Sequence, residues 1–131
     1  MARAPDTVGE VMIRDVATVG PDEPMEVALR RMNERDIGSV VVVEGDRPVG
    51  IVTERDVVRH ALDPGELRAR RVGDLMSAPL VTIPPAAEVV EAFELMTREG
   101  IRRLPVVEDG RLVGIVAERD LLRWVSQVAR E

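Results

Sequence analysis

The chain matches itself. Displaced by 64 residues it aligns without a gap: Val8-Gly9-Glu10-Val11-Met12 falls on Val72-Gly73-Asp74-Leu75-Met76, and Val49-Gly50-Ile51-Val52-Thr53-Glu54-Arg55-Asp56 falls on Val113-Gly114-Ile115-Val116-Ala117-Glu118-Arg119-Asp120. Between residues 8 and 59, 20 of 52 aligned positions are identical. A repeat of this length constrains the fold more than any local pattern, because one supersecondary unit must be built twice.

Each copy reads the same way. A short apolar strand (Val16 to Val19; Leu80 to Ile83) is followed by a turn at Gly20-Pro21-Asp22 or Pro84-Pro85. A helix follows, with apolar spacing at Met25, Ala28, Leu29 and Met32, or at Val89, Ala92, Phe93 and Met96. Two strands come next, joined at Gly45-Asp46 or at Asp109-Gly110, the stronger hairpin signal. A last helix is expected from Glu54 to about Ala61 and from Glu118 to about Ala129. The expected fold is α/β (α+β), with two β-α-β-β-α repeats at 8–62 and 72–129. The segment 63–71, which holds Pro64-Gly65, reads as the linker. One such unit cannot bury both faces of a three-stranded sheet, so the repeats are expected to pack as a pseudo-twofold pair with two clefts between them.

Composition narrows the chemistry. Aromatic residues make up 2% of the chain, Phe93 and Trp124 alone, so the core must be aliphatic. There is no Cys and no Lys, and His60 is the one histidine. Thiolate catalysis, Schiff-base chemistry, the P-loop lysine and Cys- or His-cluster metal sites are thereby excluded. No serine sits in a nucleophile elbow and no carboxylate pair stands out, so neither catalytic nor metal-binding residues are assigned. The net charge of −6, without a basic helix or stripe, argues against nucleic acid. No apolar run reaches membrane-span length and the first residues lack a signal peptide's apolar stretch, so a cytoplasmic protein without a membrane partner is expected.

The pattern G-h-h-[ST]-x-x-D (h apolar) closes the first repeat as Gly50-Ile51-Val52-Thr53-Glu54-Arg55-Asp56. Gly100-Ile101-Arg102-Arg103-Leu104-Pro105-Val106-Val107 and Asp36-Ile37-Gly38-Ser39-Val40-Val41-Val42-Val43 lead into the middle strands. With this set duplicated at fixed spacing, the chain resembles the CBS domain family from residue 8 to about 126. The resemblance implies a regulatory module that needs no cofactor and catalyses nothing. It implies clefts that take an adenine-containing ligand, AMP, ADP, ATP or S-adenosylmethionine. It also implies dimerisation into flat discs and control of a regulated protein whose identity the chain does not give. A non-catalytic interaction and dimerisation protein with empty clefts is the alternative.

The residues suit a nucleotide for physical reasons. Asp56 and Asp120 stand in the first turn of their helices, where a carboxylate can accept from both ribose hydroxyls. Arg55, Arg119, Arg102 and Arg103 offer planar forks to phosphate, and a helix N-terminus favours the same charge. Thr53 and Ser39 add hydroxyls. Ile37, Ile101, Val19 and Val81 offer aliphatic surface to the base.

Ordinary roles stand beside these. Thr53 and Asp56 also spell a capping box. In the second repeat Ala117 replaces the threonine, and an Asp120 kept without that partner favours ligand binding. Pairing of Arg102 and Arg103 with Glu99, and of Arg55 and Arg119 along their helices, is the ordinary alternative. Met25, Met32, Leu95, Met96 and Trp124 make the helices richer in apolar positions than one small body can hide, and a homodimer is expected.

Overall fold

The computed structural model describes residues 7–60 and 63–129. The elements in chain order are α1 (Val8–Val11), β1 (Thr18–Val19), α2 (Met25–Arg35), β2 (Ser39–Glu44), β3 (Arg47–Thr53), α3 (Glu54–His60), α4 (Pro64–Ala69), α5 (Val72–Leu75), α6 (Val89–Glu99), β4 (Arg103–Glu108), β5 (Arg111–Ala117) and α7 (Glu118–Ala129). The expected end of the first repeat, at Ala61 and residue 62, lies outside the described residues.

Two compact units form, and they do not follow the repeats in simple succession. One comprises Val16–Leu80; the other joins the segment before Val16 to the stretch from Val81 onward. Each repeat's opening segment packs on the body of the other repeat. The amides of Val8 and Gly9 donate to the carbonyls of Ala87 and Pro85, and Ile13 bridges to Ile115. Likewise Val72 and Gly73 donate to Glu23 and Pro21, and Ser77 bridges to Ile51. The glycine after each valine permits this approach: a side chain at Gly9 or Gly73 would meet the backbone of Pro85 or Pro21 at about 3.1–3.2 Å.

In the unit Val16–Leu80 the sheet order is β1-β2-β3, with β1 parallel and β3 antiparallel to β2. Among the described residues of the other unit only β4 and β5 form a ladder, and the strand expected at Leu80 to Ile83 shrinks to one bridge between Ile83 and Val106. The reason lies in one residue. The Val41 amide donates to the Ala17 carbonyl and extends β1. Its counterpart in the second repeat is Pro105, which has no N–H to give.

Both hairpins carry a register shift, between Val42 and Val43 and between Val106 and Val107. Gly45, and both Asp109 and Gly110, take the positive φ that such tight turns require. Helices α2 and α6 end at Asp36 and Gly100, each in the left-handed conformation, which turns the chain into the middle strand.

The cores are aliphatic. Val19, Met25, Ala28, Val40, Val42, Val52 and Val72 are buried in one; Val8, Val89, Ala92, Leu104, Val106, Val116 and Leu121 are buried in the other. Each fully buried Val, Leu or Met side chain contributes about 1.5–3 kcal/mol of transfer free energy. Phe93 and Trp124 pack at the rim of the second core with ring centroids 6.3 Å apart.

One expectation gains detail and another changes. The stretch 63–71, read as the linker, holds a short helix: Asp63 caps α4 through the amides of Gly65 and Glu66, Pro64 takes the first turn, and Leu67 enters the core. A proline that cannot continue a helix can still begin one. And Met25, Met32 and Met96 are core residues. Among the described residues the large apolar side chains left exposed are instead Ile13, Val58, Val90, Leu122 and Val125.

Candidate functional site

The hairpin places the end of its second strand opposite the start of its first. Ser39 registers with Thr53 and Arg103 with Ala117. The following helix is stitched to the same spot: the Glu54 amide donates to the Gly38 carbonyl at 3.1 Å, and the Glu118 amide to the Arg102 carbonyl at 2.8 Å. Thr53, Arg55, Asp56 and Ser39 are thus gathered at one helix start, with Ile37 just before the strand. Ala117, Arg119, Asp120, Arg102 and Arg103 are gathered at the other, with Ile101.

Both aspartates are buried, Asp56 at 4% and Asp120 at 9% relative exposure. Asp56 completes the capping box. Its Oδ2 accepts from the Thr53 amide at 2.8 Å and from Thr53 Oγ1 at 3.1 Å, while Thr53 Oγ1 accepts from the Asp56 amide at 3.4 Å. Asp56 Oδ1 accepts a further bond from Ser77 Oγ at 2.8 Å. Asp120 Oδ2 accepts from the Ala117 amide at 2.9 Å. This corrects the idea that losing the threonine frees Asp120 from capping. The carboxylate's half of the box needs only the backbone N–H of the preceding strand residue, and alanine supplies that as well as threonine does.

Arg55 and Arg119 are exposed, and neither makes an ion pair among the described residues. Arg102 lies 3.9 Å from Glu118 and not against Glu99, which faces Arg98 at 3.7 Å. The strand start points Arg102 toward the helix that follows the hairpin, and Glu118 opens that helix. Arg103 is half-buried at the first position of β4.

The two valines fall elsewhere. Val19 registers with Val42, farther along β2, and the whole residue is 2% exposed within the core. Val81 is half-buried against the core that contains Ile83. Ile37 and Ile101 are half-buried, and Ile37 with Glu54 lines an open groove of about 670 Å³ that Glu26, Arg30 and Arg68 also border. No other residue of the proposed ligand set lines that groove.

Reasoning from the sequence missed Ser77. The signal was present: at the 64-residue displacement a hydroxyl follows Met76 where Ile13 follows Met12. Among the described residues no cluster of three His, Cys, Asp or Glu side chains could hold a metal, and no helix is long and apolar enough to cross a membrane.

Comparison with known proteins agrees with this arrangement. The CBS domain model matches residues 8–63 and 72–127. An uncharacterized protein of Methanopyrus kandleri is 48% identical over 89% of this chain, and the chain spans 61% of that protein's length. The CBS domain-containing protein YhcV of Bacillus subtilis is 35% identical, with 95% of this chain and 88% of that protein aligned. The crystal structure of CBSX2 in complex with AMP superposes with a TM-score of 0.84 at 29% identity, covering 96% of this chain and all of the other. The repeat, the two β-hairpins with their Asp-led helices and these matches together show that the chain belongs to the CBS domain family and carries two CBS domains.

Proposed function

We propose that the chain is a non-catalytic regulatory module of the cytoplasm that binds an adenine nucleotide at its Asp-led helix starts. The observation that carries the reading is the duplicated pairing of a buried aspartate with an exposed arginine that has no ion-pair partner among the described residues: Asp56 with Arg55, Asp120 with Arg119. A carboxylate held in place by its own cap is preorganised to accept ribose hydroxyls, and the neighbouring guanidinium suits phosphate. The AMP complex of CBSX2, a structural neighbour over 96% of the chain, supports adenine as the base. Arg102 and Arg103 add positive charge beside Asp120 alone, since Gly38 and Ser39 occupy their places in the first repeat. This favours a phosphorylated ligand such as AMP, ADP or ATP over S-adenosylmethionine. Calorimetric titration of the four compounds tests it: the nucleotides are expected to bind and S-adenosylmethionine to bind more weakly, and a preference for S-adenosylmethionine would contradict the reading.

Val58 and Leu122 occupy the same position in α3 and α7 and are 78% and 59% exposed. A single exposed aliphatic residue needs no explanation, but its repetition at matched sites favours a homodimer that covers both. In the dimer the module would act on a regulated partner protein.

A further inference from the structure

The two repeats do not offer equivalent carboxylates. Asp56 accepts three hydrogen bonds, from the Thr53 amide, Thr53 Oγ1 and Ser77 Oγ, and both of its oxygens are engaged. Asp120 accepts one, from the Ala117 amide on Oδ2. Its Oδ1 has no partner among the described residues, and since no buried side-chain oxygen among them lacks one, that atom reaches solvent.

We infer that the chain binds a single adenine nucleotide, through Asp120, and that Ser77 is a positioning residue that closes Asp56 to the ribose. The inference rests on the nucleotide-binding reading above and deepens it. A carboxylate has about four acceptor positions. Asp56 therefore has about one left, while a ribose diol brings two donors. Asp120 has about three left, including one whole oxygen. A ribose on Asp56 would have to displace a bond already made; a ribose on Asp120 would not.

The difference traces to equivalent positions. Ser77 follows α5 and bridges to Ile51, while Ile13 follows α1 and bridges to Ile115. The same backbone bridge thus carries a hydroxyl side chain in one repeat, bonded to Asp56, and a half-exposed hydrocarbon in the other. The exchange of Thr53 for Ala117 adds the second missing donor.

Calorimetric titration with AMP tests this on the full chain. Wild type is expected to bind one AMP per chain. Ser77→Ala frees Asp56 Oδ1 and is expected to add a second binding event, whereas Ser77→Thr keeps the hydroxyl and stays at one. Asp120→Asn retains an acceptor for the Ala117 amide and is expected to weaken AMP on the order of tenfold or more. Ile13→Ser, which puts a hydroxyl at the position equivalent to Ser77, is expected to weaken AMP as well, and it decides the matter should Asp120→Asn fail to fold. Two equal sites in wild type, or a Ser77→Ala variant that stays at one, would overturn the inference while leaving the nucleotide reading intact. No AMP binding by wild type or any variant would overturn both.

Discussion

Met76 lays its thioether over the bare Cα of Gly50, so closely that a methyl group added there would come within 2.5 Å of the sulfur. Met12 does the same to Gly114. The contact ties the valine-glycine-x-x-methionine segment that opens one repeat to the glycine-isoleucine-valine strand that closes the other, and it occurs twice. It explains in packing terms why both short motifs are duplicated at a fixed spacing.

Gly50→Ala is expected to destabilise the protein by about 1–3 kcal/mol, the usual range for overpacking. The methyl would also face Met76 Cγ at 3.0 Å and the Ser77 carbonyl at 3.1 Å, so a shift of the sulfur alone does not relieve it. Urea unfolding of Gly50→Ala, Met76→Ala and the double variant measures this. The two changes should be non-additive, because removing the thioether removes most of the clash.

Leu67→Ala is expected to cost about 2–5 kcal/mol. Leu67 is 6% exposed and belongs to the core of the unit Val16–Leu80. A flexible tether at 63–71 would tolerate the change with a loss below about 0.5 kcal/mol. A thermal or urea melt separates the two outcomes.

The limits of the sequence reading follow from which interactions are local. The hairpins, the Asp-led helices and the aliphatic stripes were legible because each rests on periodicity or turn chemistry within a few residues. The positions of Thr53, Asp56, Ala117 and Asp120 were legible for the same reason. The exchange of α1 and α5 between repeat bodies was not, since nothing local distinguishes a segment packed on its own repeat from one packed on the other. α4 was hidden by Pro64-Gly65, which reads as a break unless Asp63 is recognised as the cap that precedes it. The shortening of the strand at Ile83 depended on Pro105, 22 residues farther on. Ser77 escaped because its bond to Asp56 spans 21 residues.

The caps give a paired test. Thr53→Ala removes a hydroxyl that bonds to Asp56 and accepts from its amide, with an expected loss of about 0.5–2 kcal/mol. Ala117→Thr supplies the missing half of the box before α7 and is expected to stabilise by a smaller amount, on the order of 0.5 kcal/mol. Denaturant midpoints at equal slope report both. Unchanged midpoints in both variants would show the boxes to be idle.

The dimer is tested at α7. Wild type is expected to sediment as a dimer at micromolar concentration, and Leu122→Glu as a monomer with an unchanged circular dichroism spectrum. The side chain is 59% exposed, so the charge costs the single chain little, within about 0.5 kcal/mol. A wild-type monomer would remove the explanation offered for Val58 and Leu122.

Adenine-nucleotide binding is the centre of the account, and a thermal melt with and without AMP reads it most directly. At about 100 times its dissociation constant a ligand specific for the folded state adds roughly 2.7 kcal/mol, which raises the midpoint by several degrees. The expected result is a saturable rise with AMP that Asp120→Asn cuts to about half or less at the same AMP concentration. An unchanged midpoint at millimolar AMP, ADP, ATP and S-adenosylmethionine would contradict it.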